Sequence, residues 1–248
     1  MIEITILGCG SSMGVPVLTC ECNVCISDDP YNKRMRCAFL AKSKSTTVLV
    51  DCGFDIKTQL LNAKVKHIDA LILTHCHADH VMGLDHLRAF VHNTKKPVEV
   101  YVDPTSFVMC HLTFGYLITS GVIKLNKVDF YDKIKIGDIE LQLFRQYHAE
   151  IDSLGMRVKD FVYANDVIRM PAESKQYLQN IDTLVVDCIN YQNVRVHAGL
   201  NTVLEWDQEF KPKKVFLTNM GHEIDYYEIQ KHIPLHFKPC YDGIKINI

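Results

Sequence analysis

Apolar positions along the chain fall into two rhythms. Short β-branched runs bounded by turn residues predict strands at 2–7 (IEITIL), 37–42, 46–51 (TTVLVD), 68–74 (IDALILT), 98–102, 182–187 (DTLVVD) and 214–218 (KVFLT). The stretch 127–164 reads as several further strands separated by turns. Helical spacing predicts helices at 54–63, where Phe54, Ile56, Leu60 and Leu61 share a face, and at 83–92 (GLDHLRAFVH). Pro104 marks another helix start, and three more are expected near 172–179, 200–210 and 225–232. Strands and helices interleave in both halves, and no Pro/Gly/Ser linker divides them. The pattern therefore predicts one α/β domain over 1–248, its sheets covered by helices.

Composition narrows the class. Hydrophobic residues make up 48% and charged residues 23% of 248, which is ordinary for a globular chain and excludes global disorder. Lys+Arg 27 against Asp+Glu 29 leaves a net charge of −2, so there is no strongly basic nucleic-acid footprint. No apolar run approaches the roughly 18–20 residues that span a bilayer. The start, MIEITILGCG, lacks a basic region followed by a long apolar one. A cytoplasmic location is expected, with the ten cysteines as thiols or metal ligands. Cys9, Cys37, Cys52, Cys110, Cys188 and Cys240 lack ligand spacing and are expected to be buried as small apolar residues.

Two clusters carry chemistry. The first is Thr74-His75-Cys76-His77-Ala78-Asp79-His80, at the end of a predicted strand. Residues two apart in extended chain face the same side, so His75 and His77 can converge on one cation. A turn after Ala78 can swing Asp79 and His80 toward a second. Imidazole and carboxylate suit Zn²⁺, Mn²⁺ or Fe²⁺. The second cluster is Cys20-Glu21-Cys22-Asn23-Val24-Cys25, three thiols in a turn-rich loop; a closed zinc site needs a fourth ligand. The glycines at 8, 10 and 14 do not form GxGxxG and precede Val15-Pro16 instead of a helix, so no phosphate loop is supported.

The HxHxDH segment after such a strand resembles the metallo-β-lactamase-fold hydrolases, and the likeness runs from IEITILGCG to YDGIKI. It implies a four-layer αβ/βα sandwich with two divalent metals, zinc or manganese, in a cleft at one edge of two packed sheets. By the same resemblance, His75, His77 and His148 hold the first metal, Asp79 and His80 the second, and Asp187 bridges both. His197 corresponds to the non-ligand catalytic histidine of the phosphodiesterase branch, with Asp79 the other residue implied in catalysis. One position departs from the pattern: in Leu217-Thr218-Asn219-Met220-Gly221-His222, Asn219 stands where the last metal-ligating histidine is expected. Either the second metal is held weakly or lost, or water fills the gap, or His222 moves in. The stretch GVPVLTCECNVC resembles the cyclic phosphodiesterases associated with carbon–phosphorus lyase. There a late histidine joins three cysteines around a structural zinc, which makes Cys20, Cys22, Cys25 and His222 the matching set.

These implications add up to a metal-dependent phosphodiesterase acting on a small phosphodiester, cyclic or linear. An RNA 3′-processing nuclease is an alternative that net charge −2 does not favour. A thioester or lactam hydrolase of the same fold is another, and a catalytically impaired metal-binding protein a third. No membrane partner is expected, and a homodimer is a further implication of the family.

Overall fold

Period-two alternation sorts the early strands onto two faces. A computed structural model describes residues 1–248. In it Val48, Val50, Ala70 and Ile72 point into one apolar cluster, shared with Leu141, Leu143 and Met156 of the second half. Leu49, Leu71 and Leu73 point the opposite way, into a second cluster with Ile56, Leu60, Cys110, Phe114 and Leu117. The first cluster lies between two sheets, the second beneath helices. A sheet buried on both faces requires this continuous run of aliphatic residues.

The strands are β1 (Glu3–Gly8), β2 (Ala38–Lys42), β3 (Thr47–Val50), β4 (Ala70–Ile72), β5 (Val98–Val102), β6 (Ile123–Lys127) and β7 (Lys133–Ile136), followed by β8 (Ile139–His148), β9 (Ile151–Val158), β10 (Phe161–Ala164), β11 (Thr183–Asp187), β12 (Lys214–Thr218), β13 (Phe237–Pro239) and β14 (Lys245–Asn247). They form two seven-stranded sheets, ordered β14-β1-β2-β3-β4-β5-β6 and β13-β12-β11-β10-β9-β8-β7. Within the first, β3 to β6 run parallel; within the second, β10 to β13 do.

The helices are α1 (Asn23–Ile26), α2 (Ile56–Asn62), α3 (Ala78–Val81), α4 (Arg88–Thr94), α5 (Pro104–Thr119) and α6 (Leu200–Phe210). Helix α5 starts where Asp103 accepts from the backbone N–H groups of Thr105 and Ser106, with Pro104 in its first turn. Helix α6 buries Val203, Trp206 and Phe210 in the larger cluster. The result is the helix–sheet–sheet–helix metallo-β-lactamase sandwich. No helix is long and apolar enough to cross a membrane.

Three expected helices differ. The segment 83–92 breaks into a 3₁₀ turn, Leu84–Leu87, followed by α4. Residues 172–179 form a 3₁₀ helix, Ala172–Leu178, and 225–232 only a short 3₁₀ turn, Ile229–Lys231. In the last case Asp225 Oδ1 accepts from the backbone of both Tyr227 and Glu228, closing a local turn that competes with a longer helix. Strand β14 was not marked by any pattern. It is three residues long and owes its place to pairing with β1, more than two hundred residues away.

Candidate metal centre and active site

Parallel strands bring their C-terminal ends to one edge, and the chemistry collects there. Asp51 follows β3, Thr74 and His75 follow β4, His148 ends β8, Asp166 follows β10, Asp187 ends β11 and Asn219 follows β12. After β4 the chain turns at His77, which caps the single turn α3 carrying Asp79 and His80. The turn is held from the side, where Cys52 N donates to His80 O at 2.7 Å. Gly53 allows this approach, since a Cβ there would lie 1.8 Å from Asp79 O.

Three imidazole nitrogens converge. His75 Nε2 lies 2.8 Å from His77 Nδ1, and His148 Nε2 lies 3.2 Å from the same atom. The second ring nitrogens of His75 and His148 are committed elsewhere. His75 Nδ1 is 3.0 Å from Thr74 Oγ1, which in turn donates to Asp51; His148 Nδ1 donates to Val196 O at 3.0 Å. With Nδ1 as the N–H, the Nε2 atoms of His75 and His148 present bare lone pairs. One proton on His77 Nδ1 can satisfy a single such pair, whereas a cation among the three nitrogens satisfies all of them. A tetrahedral ion with bonds of about 2.0–2.1 Å holds its ligands at comparable spacing. Burial, reinforced by the neighbouring imidazoles, pushes His75 well below its ordinary pKa and lowers His77, keeping both neutral as ligands must be.

A second set adjoins the first. His80 Nε2 lies 3.3 Å from Asp79 Oδ2 and 3.2 Å from Asp166 Oδ2. His80 Nδ1 donates to Asp51 Oδ2 at 2.8 Å, which fixes the ring with Nε2 toward the carboxylates. Asp51 is fully buried and also takes the Thr74 backbone N–H and hydroxyl. Burial opposes charge on His80, but Asp51, Asp166 and Asp79 outweigh it and raise its pKa well above the usual value. Burial likewise opposes ionisation of Asp166, and His80, His75 and His197 overcome it, holding that carboxyl well below the usual range.

The place between the two donor sets, expected of Asp187, is taken by Asp166. Asp166 groups with His75 and His80 on one side and with His148 and His197 on the other, with ligand atoms within 4.8 Å in each group. Asp187 stands one layer back: its Oδ2 accepts from Val167 N at 3.1 Å and from His197 Nδ1 at 2.7 Å. The reason is conformational. Asp187 continues a buried strand, whereas Asp166 lies past the end of β10 in a left-handed turn (φ 52°) that swings its carboxylate across the cleft.

Asp187 sets the state of His197. A carboxylate at Nδ1 makes that atom the donor, and the same atom lies 3.7 Å from Asp166 Oδ1 and 3.2 Å from the Asn219 amide nitrogen. Burial disfavours charge on His197, but Asp187 and then Asp166 raise its pKa to about 9. Asn219, 3% exposed, places its amide nitrogen 3.5 Å from Asp166 Oδ1. His222 does not enter this cleft. Its Nδ1 lies 3.2 Å from Cys20 Sγ and 3.5 Å from Cys22 Sγ, and with Cys25 the four form one ligand-capable group. The Cys25 backbone N–H draws the Cys22 thiol down to about 6. The six cysteines without ligand spacing are buried. Sequence reading missed Asp166 and Asp51. Both follow apolar strands, the only signal available, and neither sits in a spaced motif.

The family model for a beta-lactamase superfamily domain matches residues 46–220. An octanoyltransferase of Porphyromonas gingivalis is 26% identical over 97% of this chain and 50% of its own length. A ribonuclease Z of Clostridium kluyveri is 25% identical over 68% of this chain and 50% of its own. The chain thus spans about half the length of these two relatives. Among solved structures, a new diphosphatase from the PhnP family superposes with a TM-score of 0.94 at 27% identity, covering 99% of this chain and 96% of that one. Zn²⁺-bound PqqB from Methylobacterium extorquens shares the fold, with a TM-score of 0.81 at 15% identity and 99% and 100% coverage. With the matched region covering most of the sandwich and both donor sets of the cleft, the chain belongs to the beta-lactamase superfamily.

Proposed function

We propose that the chain hydrolyses a P–O bond in a small phosphodiester or diphosphate at the Asp166 cleft. The observation that carries this reading is the His197–Asp187 pair, bonded at 2.7 Å beside the carboxylate shared by both donor sets. His75, His77 and His148 would hold one divalent cation, and Asp79, His80 and Asp166 a second. When bound, such cations bring the pKa of a water toward neutrality and offset charge on phosphoryl oxygens. Departure of an alkoxide or phosphate needs a proton, and His197, bonded to Asp187 and 3.7 Å from Asp166 Oδ1, would give it. Asp51 and Val196 O keep the ligand rings from turning. Cys20, Cys22, Cys25 and His222 form a closed four-ligand set suited to a structural zinc. The likeness to a PhnP-family diphosphatase supports the substrate class, and the ribonuclease Z relative keeps an RNA 3′ end as the second one.

The test is turnover of bis-p-nitrophenyl phosphate, a dinucleoside diphosphate, a precursor tRNA, a thioester and a lactam by the metal-loaded chain. Turnover of the first two is expected, and His197→Ala should reduce it about 10²–10⁴-fold while metal content is unchanged. Turnover of the thioester or lactam alone would overturn the reading. So would full phosphodiesterase activity in the His197 variant.

A further inference from the structure

The two donor sets differ in their atoms. The first offers three imidazole nitrogens, from His75, His77 and His148. The second offers one imidazole nitrogen, His80 Nε2, and carboxylate oxygens from Asp79 and Asp166. What closes the second set decides its character. His222 is taken by the thiols, with its Nδ1 3.2 Å from Cys20 Sγ. Asn219 adjoins the set through its amide nitrogen, 3.5 Å from Asp166 Oδ1 and 3.2 Å from His197 Nδ1. An asparagine has only its carbonyl oxygen to give a cation, because the amide nitrogen carries no available lone pair.

We infer that the two cation positions are chemically unequal: the three-histidine set selects an imidazole-preferring ion such as Zn²⁺, and the set of Asp79, His80 and Asp166, beside which Asn219 supplies no second imidazole, selects an oxygen-preferring divalent ion such as Mn²⁺. The inference rests on the reading of this cleft as a two-cation site. Carboxylate, carbonyl and water suit manganese and magnesium, whereas imidazole suits zinc, copper and iron. A single imidazole among oxygens removes much of zinc's advantage. The side chain of Asn219 is also shorter than that of histidine, which leaves room for a larger ion with water in its shell. The backbone favours the arrangement. Asn219 is in the left-handed region (φ 58°), where Asn and His are both tolerated, so exchange between them tests the ligand atom and not the turn.

The experiment strips the full chain of metal and reloads it with three equivalents of Zn²⁺ and an excess of Mn²⁺. Bound metal is counted by elemental analysis, the Mn²⁺ environment is read by electron paramagnetic resonance, and both ions are located by anomalous diffraction. The wild-type chain is expected to hold zinc at the thiols and the three histidines, and manganese between Asp79, His80 and Asp166. Asn219→His should bind a third zinc at least about tenfold more tightly than the wild type and lose the manganese signal. Wild-type protein that fills the second position with zinc as tightly as Asn219→His, and takes no manganese, overturns the inference and leaves the hydrolase reading intact. Absence of any ion among His75, His77 and His148 overturns both.

Discussion

Asp166 and Asp187 show how a single turn separates two similar residues. Both are buried, both follow apolar strands, and both approach His197. Only Asp166 reaches both donor sets, while Asp187 bonds Val167 N and His197 Nδ1. Their substitutions should therefore fail differently. Asp166→Asn is expected to lower bound metal in the cleft, because it removes a charge from between His80 and His148. Asp187→Asn is expected to keep the metal and lose about 10–100-fold in turnover, since a residue that only orients another group costs about that much. Metal content and kcat measured on both variants check the assignment; equal metal loss in the two would contradict it. The HxHxDH motif was legible in the sequence because its ligands lie within six positions and alternation fixes their side. Asp166 was not, because the left-handed turn that aims it leaves no periodic trace. Asp51 was hidden for a related reason. Its role is to hold His80 and Thr74, contacts made across two strands.

Elements were legible where the pattern is local. Strands β3, β4, β11 and β12 are aliphatic runs bounded by turns, and α5 carries its own cap. The C-terminal strand could not be foreseen, because long-range ties fix it. Asp242, just before β14, accepts from Met35 N at 2.7 Å and from Cys9 N at 3.1 Å, joining the ends of the chain to the loop before β2. Burial raises its pKa from the usual 3.8 to about 6, against the opposing pull of those N–H groups and Arg34. A folded-state pKa raised above the unfolded one makes a contribution that is present at low pH and lost as pH rises through about 6. Between about pH 5 and about pH 7.5 the loss is on the order of 1–2 kcal/mol. Asp242→Asn keeps an acceptor oxygen without the charge. Its stability relative to wild type should therefore improve by that amount over the same rise in pH, as read by urea unfolding at both values. A difference independent of pH would show that Asp242 titrates normally.

At the scale of the molecule, two half-parallel sheets packed face to face deliver the ends of six strands to one edge, and the cleft is the consequence. The sandwich itself was legible through resemblance and through interleaved strands and helices; the sharing of ligands between sheets was not, because it depends on how the sheets face each other. The thiol knot is a separate ligand-capable group of the same chain, which makes it an internal reference. The most direct test of the central claim is elemental analysis of the purified full chain beside a His75→Ala/His77→Ala variant, both saturated with Zn²⁺ and desalted. The variant is expected to retain only the zinc held by Cys20, Cys22, Cys25 and His222, while the wild type carries that zinc and further metal in the cleft. Equal metal content in the two proteins would contradict the claim that the turn after β4 gathers cations.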